Sequence, residues 1–173
     1  MESRCMDAGL RRHDECCYAG RIPDCGLRMI ALLQRVTSAS VTVDDGTVGA
    51  IDAGLLVLVA VEPGDGDPQV RRMCERLLGY RVFGDDHGRM NLSLAEMGGG
   101  LLLVPQFTLA ADTRKGMRPS FTTAAAPDQG RWWFERLVEL ARGAHPRVAT
   151  GRFGAHMQVR LVNDGPVSFI LRV

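Results

Sequence analysis

Two spacings of apolar residues divide the chain after Met29 into strands and helices. Alternation with a period of two, or a short continuous apolar run, is typical of β-strands, whereas recurrence every three or four residues indicates a helix. These patterns predict about eight or nine strands and two main helices. The predicted strands are Ile30–Val36, Val41–Val43, Val48–Ile51, Leu55–Val61, Tyr80–Phe83, Met90–Leu94, Leu101–Val104, Phe153–Val162 and Val167–Val173.

The helical spacing occurs in two segments. Asp67 is predicted to cap the first helix, with Pro68 at its first helical position and Gly79 just beyond its end. The second helix is predicted to begin near Pro127-Asp128 and to close at Gly143. The apolar faces are expected to comprise Val70, Met73, Cys74, Leu77 and Leu78 in the first helix, and Trp132, Trp133, Leu137, Leu140 and Ala141 in the second.

Most of the predicted strands follow one another directly, and Asp45-Gly46 between two of them is a strong signal for a hairpin. Runs of strands with few helices favour an α+β fold over a doubly wound sheet. The sequence also lacks a G-x-G-x-x-G pattern and a P-loop, so it offers no template for binding a nucleotide.

The stretch Asn163-Asp164-Gly165-Pro166 lies between the last two predicted strands. Its residue types favour a tight turn, because Asn and Asp bond to nearby main chain, Gly permits positive φ and Pro fixes its own φ. A second interpretation stays open, because an X-Pro bond adopts the cis form at little cost. A rigid cis Gly-Pro would present its carbonyl oxygens in a fixed geometry and could recognise a ligand.

Composition adds limits to this picture. The chain has 173 residues, 46% of them hydrophobic, and a net charge of +1, which suits one globular domain without a general affinity for polyanions. Met1–Arg28 has no apolar period and is predicted to be a disordered or weakly ordered extension before a single domain at 29–173. No apolar run is long enough to span a bilayer and no signal-peptide core is recognised, so a cytoplasmic protein is expected.

A search for reactive side chains finds little. The spacing of Cys5, Cys16, Cys17 and Cys25 matches no common zinc pattern, so no metal is expected, although a metal-binding regulatory protein remains an alternative. No standard motif surrounds any of the four histidines. Two polar stretches at strand ends remain as candidates, Gln106-Phe107-Thr108 and Asn163-Asp164-Gly165-Pro166, although harmless strand ends and a core position for Phe107 would also explain them.

Several motifs, in matching order and spacing, resemble the D-aminoacyl-tRNA deacylase family. The resemblance covers nearly all of the chain from Met29 to Val173 and is specific. It rests on the segments Met29–Val36, Gln106–Thr113, Gly116–Phe121, Gly151–Val159 and Asn163–Val167.

The resemblance implies a homodimeric hydrolase with a three-layer β/β/α fold, whose sheet faces are buried between subunits, and no cofactor. Such an enzyme frees tRNA from a D-amino acid, and commonly from glycine mischarged on tRNA-Ala, by cleaving the ester to the terminal ribose. Gly165-Pro166 would be cis and would enter the partner's active site, where main-chain atoms exclude an L side chain. Arg35 would steady this dipeptide, and Phe153 would lie near the terminal adenosine.

We assign the chemistry to Gln106, Phe107 and Thr108, because main-chain N–H groups there could stabilise an oxyanion. Thr108 as the nucleophile would need an adjacent base, and the sequence does not identify one. The alternative is that the substrate's own 2′-hydroxyl activates water, and we favour it. The cations Arg114, Lys115 and Arg118 fit either tRNA phosphate contacts or a solvated loop.

The sequence departs from the family motif at two positions. Pro105 stands where the family usually has Ser, and it lacks both the hydroxyl and the backbone donor. This favours, as the runner-up, a non-catalytic protein that binds the acceptor end of tRNA. Ser168 replaces the usual Thr and keeps its hydroxyl, so little effect is expected.

Overall fold

A computed structural model describes residues 29–173 of the chain. Within that range the chain forms eight β-strands, three α-helices and one 3₁₀ helix. The predicted extension Met1–Arg28, with four of the five cysteines, lies outside the described residues. The strands are β1 (Ile30–Val43), β2 (Gly46–Ile51), β3 (Gly54–Ala60), β4 (Phe83–Gly84), β5 (Met90–Leu92), β6 (Gly100–Pro105), β7 (Val148–Thr150) and β8 (Gln158–Arg172); the α-helices are α1 (Asp67–Gly79), α2 (Leu94–Met97) and α3 (Pro127–Ala144); and the 3₁₀ helix is Phe107–Ala110.

The long strand β1 organises the larger of the two sheets. Along one edge it pairs with β8 over almost its whole length. Along the other edge its first half pairs with β3 and its second half with β2, and all three pairings are antiparallel. The predicted hairpin between β1 and β2 is confirmed, with Asp44 and Asp45 at positive φ. The predicted strands Ile30–Val36 and Val41–Val43 are parts of this one strand.

The other half of the sheet is parallel. Strand β6 pairs in parallel with β3 and with β7, and the crossovers carry α1 and α3. The fold is therefore mostly strands, arranged in a mixed sheet with helices on one face. This architecture agrees with the predicted α+β class. Strand β7 was not predicted, since three partly buried residues give no recognisable pattern.

Both faces of the sheet bury apolar side chains. On one face, α1 and α3 cover a core that contains Leu33, Val57 and Leu101. On the opposite face, a smaller cluster includes Leu56 and Leu102. Since successive strand residues point to opposite faces, the continuous apolar runs of β3 and β6 supply both cores. Each fully buried Leu contributes about 1.5–3 kcal/mol relative to an exposed one.

The helices deviate from prediction at their ends. Gly66, not Asp67, precedes α1, and its N–H donates to the Gln69 side chain at 3.1 Å. Gly79 is the last residue of the helix, and Tyr80 follows it in an extended conformation, so a left-handed glycine is not used there. Cys74 is buried on the apolar face of α1 as predicted, and burial raises the pKa of its thiol.

The predicted strands Tyr80–Phe83 and Met90–Leu94 are shortened to β4 and β5. Ser93 ends the second of them because it caps α2. Its N–H and hydroxyl donate to the Glu96 carboxylate at 2.7 and 2.6 Å, and the hydroxyl accepts from the Glu96 N–H. Among residues 29–173, no helix is long and apolar enough to cross a membrane.

Candidate active site

The candidate stretch near the C-terminus is not a turn between two strands. β8 runs continuously from Gln158 to Arg172 and stays antiparallel to β1 on both sides of the stretch. Between the paired positions Gln34↔Ser168 and Val36↔Asn163, β1 advances by two residues while β8 advances by five. The prediction of a reversing turn was wrong, because surplus residues in one strand bulge outward without reversing it. We call Asp164–Val167 the protrusion.

Short-range hydrogen bonds hold the base of the protrusion. The side-chain oxygen of Asn163 accepts from the Val167 N–H at 2.9 Å, and its amide donates to the Ser168 hydroxyl at 3.0 Å. The Gly165-Pro166 peptide bond is cis, as the resemblance implied. Gly165 has φ of 124°, a conformation that side-chain-bearing residues rarely adopt. Asn163 therefore fixes the ends of the protrusion, and Gly165 allows its shape.

Arg35 joins the protrusion to the body of the protein. Its Nε donates to the main-chain oxygen of Asp164 at 3.1 Å and lies 2.9 Å from the Asp164 carboxylate. Its Nη1 donates to the carbonyl oxygen of Val82 at 2.6 Å. The Arg35 side chain is only 15% exposed, and its hydrogen bonds hold it between Asp164 and Val82. The structure brings together three of the predicted residues here: Arg35, Gly165 and Pro166.

A separate pocket of about 430 Å³ lies at the ends of β3 and β6. Three predicted site residues, Gln106, Phe107 and Phe153, line it, whereas Arg35, Gly165 and Pro166 of the same chain do not. Its lining is mainly apolar and contains no Lys or Arg. The full lining is Val59, Val61, Val104, Pro105, Gln106, Phe107, Ala125, Pro127, Gly130, Phe134, Phe153, Gly154, Ala155, His156, Met157 and Val159.

The 3₁₀ helix begins at the pocket wall. The Gln106 N–H donates to the carbonyl oxygen of Val59 at 2.7 Å, which fixes this segment to the end of β3. The Gln106 side-chain amide donates to the Thr108 hydroxyl. The first bond of the helix runs from the Leu109 N–H to the Gln106 carbonyl, so the N–H groups of Phe107 and Thr108 have no acceptor within it. Thr108 adjoins the pocket without lining it.

Aromatic rings form part of the pocket lining. Phe107 is 55% exposed, so a core position for it was wrong, and its ring centroid lies 5.1 Å from that of Phe121. Phe153 contacts Phe134 at 6.4 Å, and the Arg131 guanidinium lies 5.2 Å from its ring centroid. The exposed Phe107 and partly buried Phe153 thus present ring surface to the pocket.

Pro105, the departure from the family motif, also lines the pocket, together with His156 and Met157, which were not predicted as site residues. His156 precedes β8 and is the one lining residue with an acidic or basic side chain. Its position three residues after the candidate Phe153 is the signal that could have indicated it. Among residues 29–173, no cluster of three or more His, Cys, Asp or Glu could hold a metal ion.

Comparison with known proteins gives the chain a family. Residues 32–172 match the family described as D-Tyr-tRNA(Tyr) deacylase. A D-aminoacyl-tRNA deacylase of Methylococcus capsulatus is 70% identical over 144 residues, which cover 83% of this chain and 94% of that protein. One of Stenotrophomonas maltophilia is 66% identical over 145 residues, 83% of this chain and 99% of that protein.

Two solved structures have the same fold. A protein described as c-Myc DNA Unwinding Element Binding Protein superposes with a TM-score of 0.79 at 35% identity, over 82% of this chain and 97% of its own. A probable eukaryotic D-amino acid tRNA deacylase superposes with a TM-score of 0.74 at 21% identity, over 85% and 100%, which supports the fold alone. The sequence match over residues 32–172 and the close relatives show that this chain belongs to the D-Tyr-tRNA(Tyr) deacylase family.

Proposed function

We propose that this protein hydrolyses the ester bond of D-aminoacyl-tRNA, and of glycine mischarged on tRNA-Ala, to give free amino acid and tRNA. The observation that carries the proposal is the 70% identity to a relative named D-aminoacyl-tRNA deacylase over nearly all of that relative. The pocket is consistent with it, since aromatic and apolar walls suit the terminal adenosine and amino acid. We infer that the activity resides in residues 29–173 and is exercised in the cytoplasm, where aminoacyl-tRNA is used.

The catalytic groups in this proposal belong to the segment Gln106-Phe107-Thr108. The N–H groups of Phe107 and Thr108, which lack an acceptor within the 3₁₀ helix, would donate to the oxyanion that forms on the ester carbonyl. The hydrogen bond from Gln106 to the Thr108 hydroxyl would fix the segment in this orientation. Phe153 would pack against the terminal adenine, because its ring lines the pocket.

The attacking water needs a base, and the pocket supplies no paired acid and base. His156 is its one lining residue with an acidic or basic side chain, and it has no carboxylate within salt-bridge distance among the described residues. In the described part of the chain, no base is hydrogen-bonded to the Thr108 hydroxyl, which accepts from the Gln106 amide. We therefore keep the substrate's vicinal 2′-hydroxyl as the group that assists water.

Selectivity for the D-enantiomer would come from a second copy of the chain. Gly165 and Pro166 lie outside the pocket of their own chain and are exposed. Among residues 29–173, strand β8 pairs only with β1, and its side chains Leu161, Val162 and Ile170 are exposed at 37%, 56% and 63%. Association through β8 would complete a three-layer β/β/α homodimer and would place each protrusion at the partner's pocket. Main-chain atoms there would clash with an L side chain.

Incubation of the purified protein with D-tyrosyl-tRNA tests the proposal. We expect enzymatic release of tyrosine, and light scattering should give twice the monomer mass. The alternative, a non-catalytic protein that binds the acceptor end, was suggested by Pro105 and is not favoured by the relatives named as deacylases. Binding of the intact ester without hydrolysis would support that alternative.

A chain that lacks residues 1–28 should keep the activity, and loss of activity with intact folding would contradict the domain assignment.

A further inference from the structure

A basic loop follows the 3₁₀ helix that begins at the pocket wall. We define it as Asp112–Ser120, and it is closed by a β-bridge in which Asp112 and Ser120 exchange main-chain hydrogen bonds of 2.8 and 3.0 Å. It carries three cations and one carboxylate, although the whole chain has a net charge of only +1. Positive charge is therefore concentrated at this loop.

Two of the three cations remain available to a ligand. Arg114 makes a bidentate ion pair with Asp112, at 2.8 and 2.7 Å, and this guanidinium lowers the pKa of the Asp112 carboxyl. Lys115 and Arg118 are exposed, and neither has a salt-bridge partner among the described residues. The pair of Arg114 with Asp112 shapes the loop, while Lys115 and Arg118 are free to bind an anion.

The loop is attached to the active-site wall at its base. Phe121, which follows the loop, contacts the pocket residue Phe107 with ring centroids 5.1 Å apart. The Thr123 hydroxyl donates to the carbonyl oxygen of Ala110, at the end of the 3₁₀ helix. These contacts fix the loop that carries Lys115 and Arg118 to the segment that lines the pocket.

We propose that Lys115 and Arg118 bind the backbone phosphates of the single-stranded 3′ end of tRNA, directly before the esterified adenosine. This inference rests on the proposed function and adds the contact that holds the polymer. The pocket lining contains no Lys or Arg, so a polyanionic substrate must find its countercharge outside the pocket. Phosphate contacts position a nucleic acid without reading its sequence, which suits a protein that accepts many tRNAs.

The test compares two substrates that share the ester, D-tyrosyl-tRNA and 3′-O-(D-tyrosyl)adenosine. For the Lys115→Glu/Arg118→Glu variant we expect the ratio of kcat/KM for the tRNA to that for the adenosine ester to fall about tenfold or more, mainly through KM. The slope of log(kcat/KM) for the tRNA against log salt should flatten by about 1.4, the value for two phosphate contacts on a single strand.

Arg89→Glu/Arg142→Glu is the matched control. Both arginines are exposed and lie outside the loop, and the change in net charge is the same, so the ratio should stay as in the wild type. An unchanged ratio and salt slope in the loop variant, or an equal loss in the control, would overturn the inference while the proposed function stands. A wild-type protein that hydrolyses neither ester would overturn both.

Discussion

Arg35 donates a hydrogen bond to the main-chain oxygen of Asp164 and also forms an ion pair with the Asp164 carboxylate. The Nε atom lies 3.1 Å from the Asp164 carbonyl oxygen and 2.9 Å from its carboxylate, while Nη1 reaches Val82 at 2.6 Å. A carboxylate contact alone, half exposed as it is here, would contribute little. The bonds to two carbonyl oxygens in different segments give Arg35 its positioning role, because they fix the backbone beside Gly165.

Arg35→Lys tests that positioning role. An ammonium group keeps the charge but cannot reach both carbonyl oxygens with the planar fork of a guanidinium. We expect the free energy of unfolding to fall by about 1–2 kcal/mol and the preference for D- over L-tyrosyl-tRNA to fall about tenfold. The exposed Arg72→Lys is the control and should change neither. Full selectivity in Arg35→Lys, measured by single-turnover hydrolysis of both esters, would refute the positioning role.

Gly165→Ala tests whether the shape of the protrusion matters. The added Cβ would lie 2.7 Å from Val167 Cγ2 and 3.0 Å from Arg35 Nη2, at a φ that alanine avoids. The protrusion must therefore shift, and we expect kcat/KM for D-tyrosyl-tRNA to fall at least about tenfold.

Gly88→Ala is the matched control, since Gly88 also has positive φ but an added Cβ there meets no atom within 4 Å. It should lose about 1 kcal/mol of stability and keep its activity. Equal activity in the two variants would show that the shape of the protrusion does not matter.

Thr108→Ala and a tRNA ending in 2′-deoxyadenosine separate the two mechanisms. If the 2′-hydroxyl assists water, removal of the Thr108 hydroxyl should reduce kcat by less than about tenfold. The same mechanism predicts that the 2′-deoxy substrate reacts about a hundredfold more slowly or worse. Rapid-quench kinetics with 3′-esterified D-tyrosyl-tRNA would measure both. Complete loss of activity in a folded Thr108→Ala protein would instead favour Thr108 as the nucleophile.

The cap of α2 should make stability depend on pH. Bonds from the Ser93 hydroxyl and N–H lower the pKa of Glu96 below its ordinary value of 4.5. This contribution is fully present above pH 4.5 and is lost as pH falls through the lower folded pKa. Glu96→Gln should therefore destabilise the protein more at pH 7 than at pH 3 in urea unfolding, whereas Glu135→Gln, on the exposed side of α3, should show no such difference. The same penalty at both pH values would contradict this account.

Much of the fold could be predicted because buried apolar residues recur at a regular spacing along the strands and helices. The apolar runs of β3 and β6 and the helical spacing of α1 and α3 each indicate the element that forms. Strand β1 was divided in two, since Thr37 and Ser38 are exposed in mid-strand and break the apolar pattern. The continuity of β1 depends on its pairing with β8, which the local residue types in β1 do not reveal.

The candidate site shows the same limit. Turn-forming residues in Asn163–Pro166 predicted a reversal, but pairing with β1 on both sides keeps the chain straight and pushes those residues outward. The link from Arg35 to Asp164 spans 129 positions in sequence, so no local pattern can reveal it. His156 and Met157 enter the pocket only because β8 starts beside the end of β6.

The central claim is that this protein cleaves the D-ester and spares the L-ester. Single-turnover hydrolysis of D-tyrosyl-tRNA and L-tyrosyl-tRNA, with the same tRNA and the same enzyme preparation, tests it most directly. The account predicts that the D-ester is cleaved at least about a hundredfold faster, which corresponds to roughly 2.7 kcal/mol between the two transition states. Equal rates for the two esters, or no enzymatic cleavage of either, would contradict it.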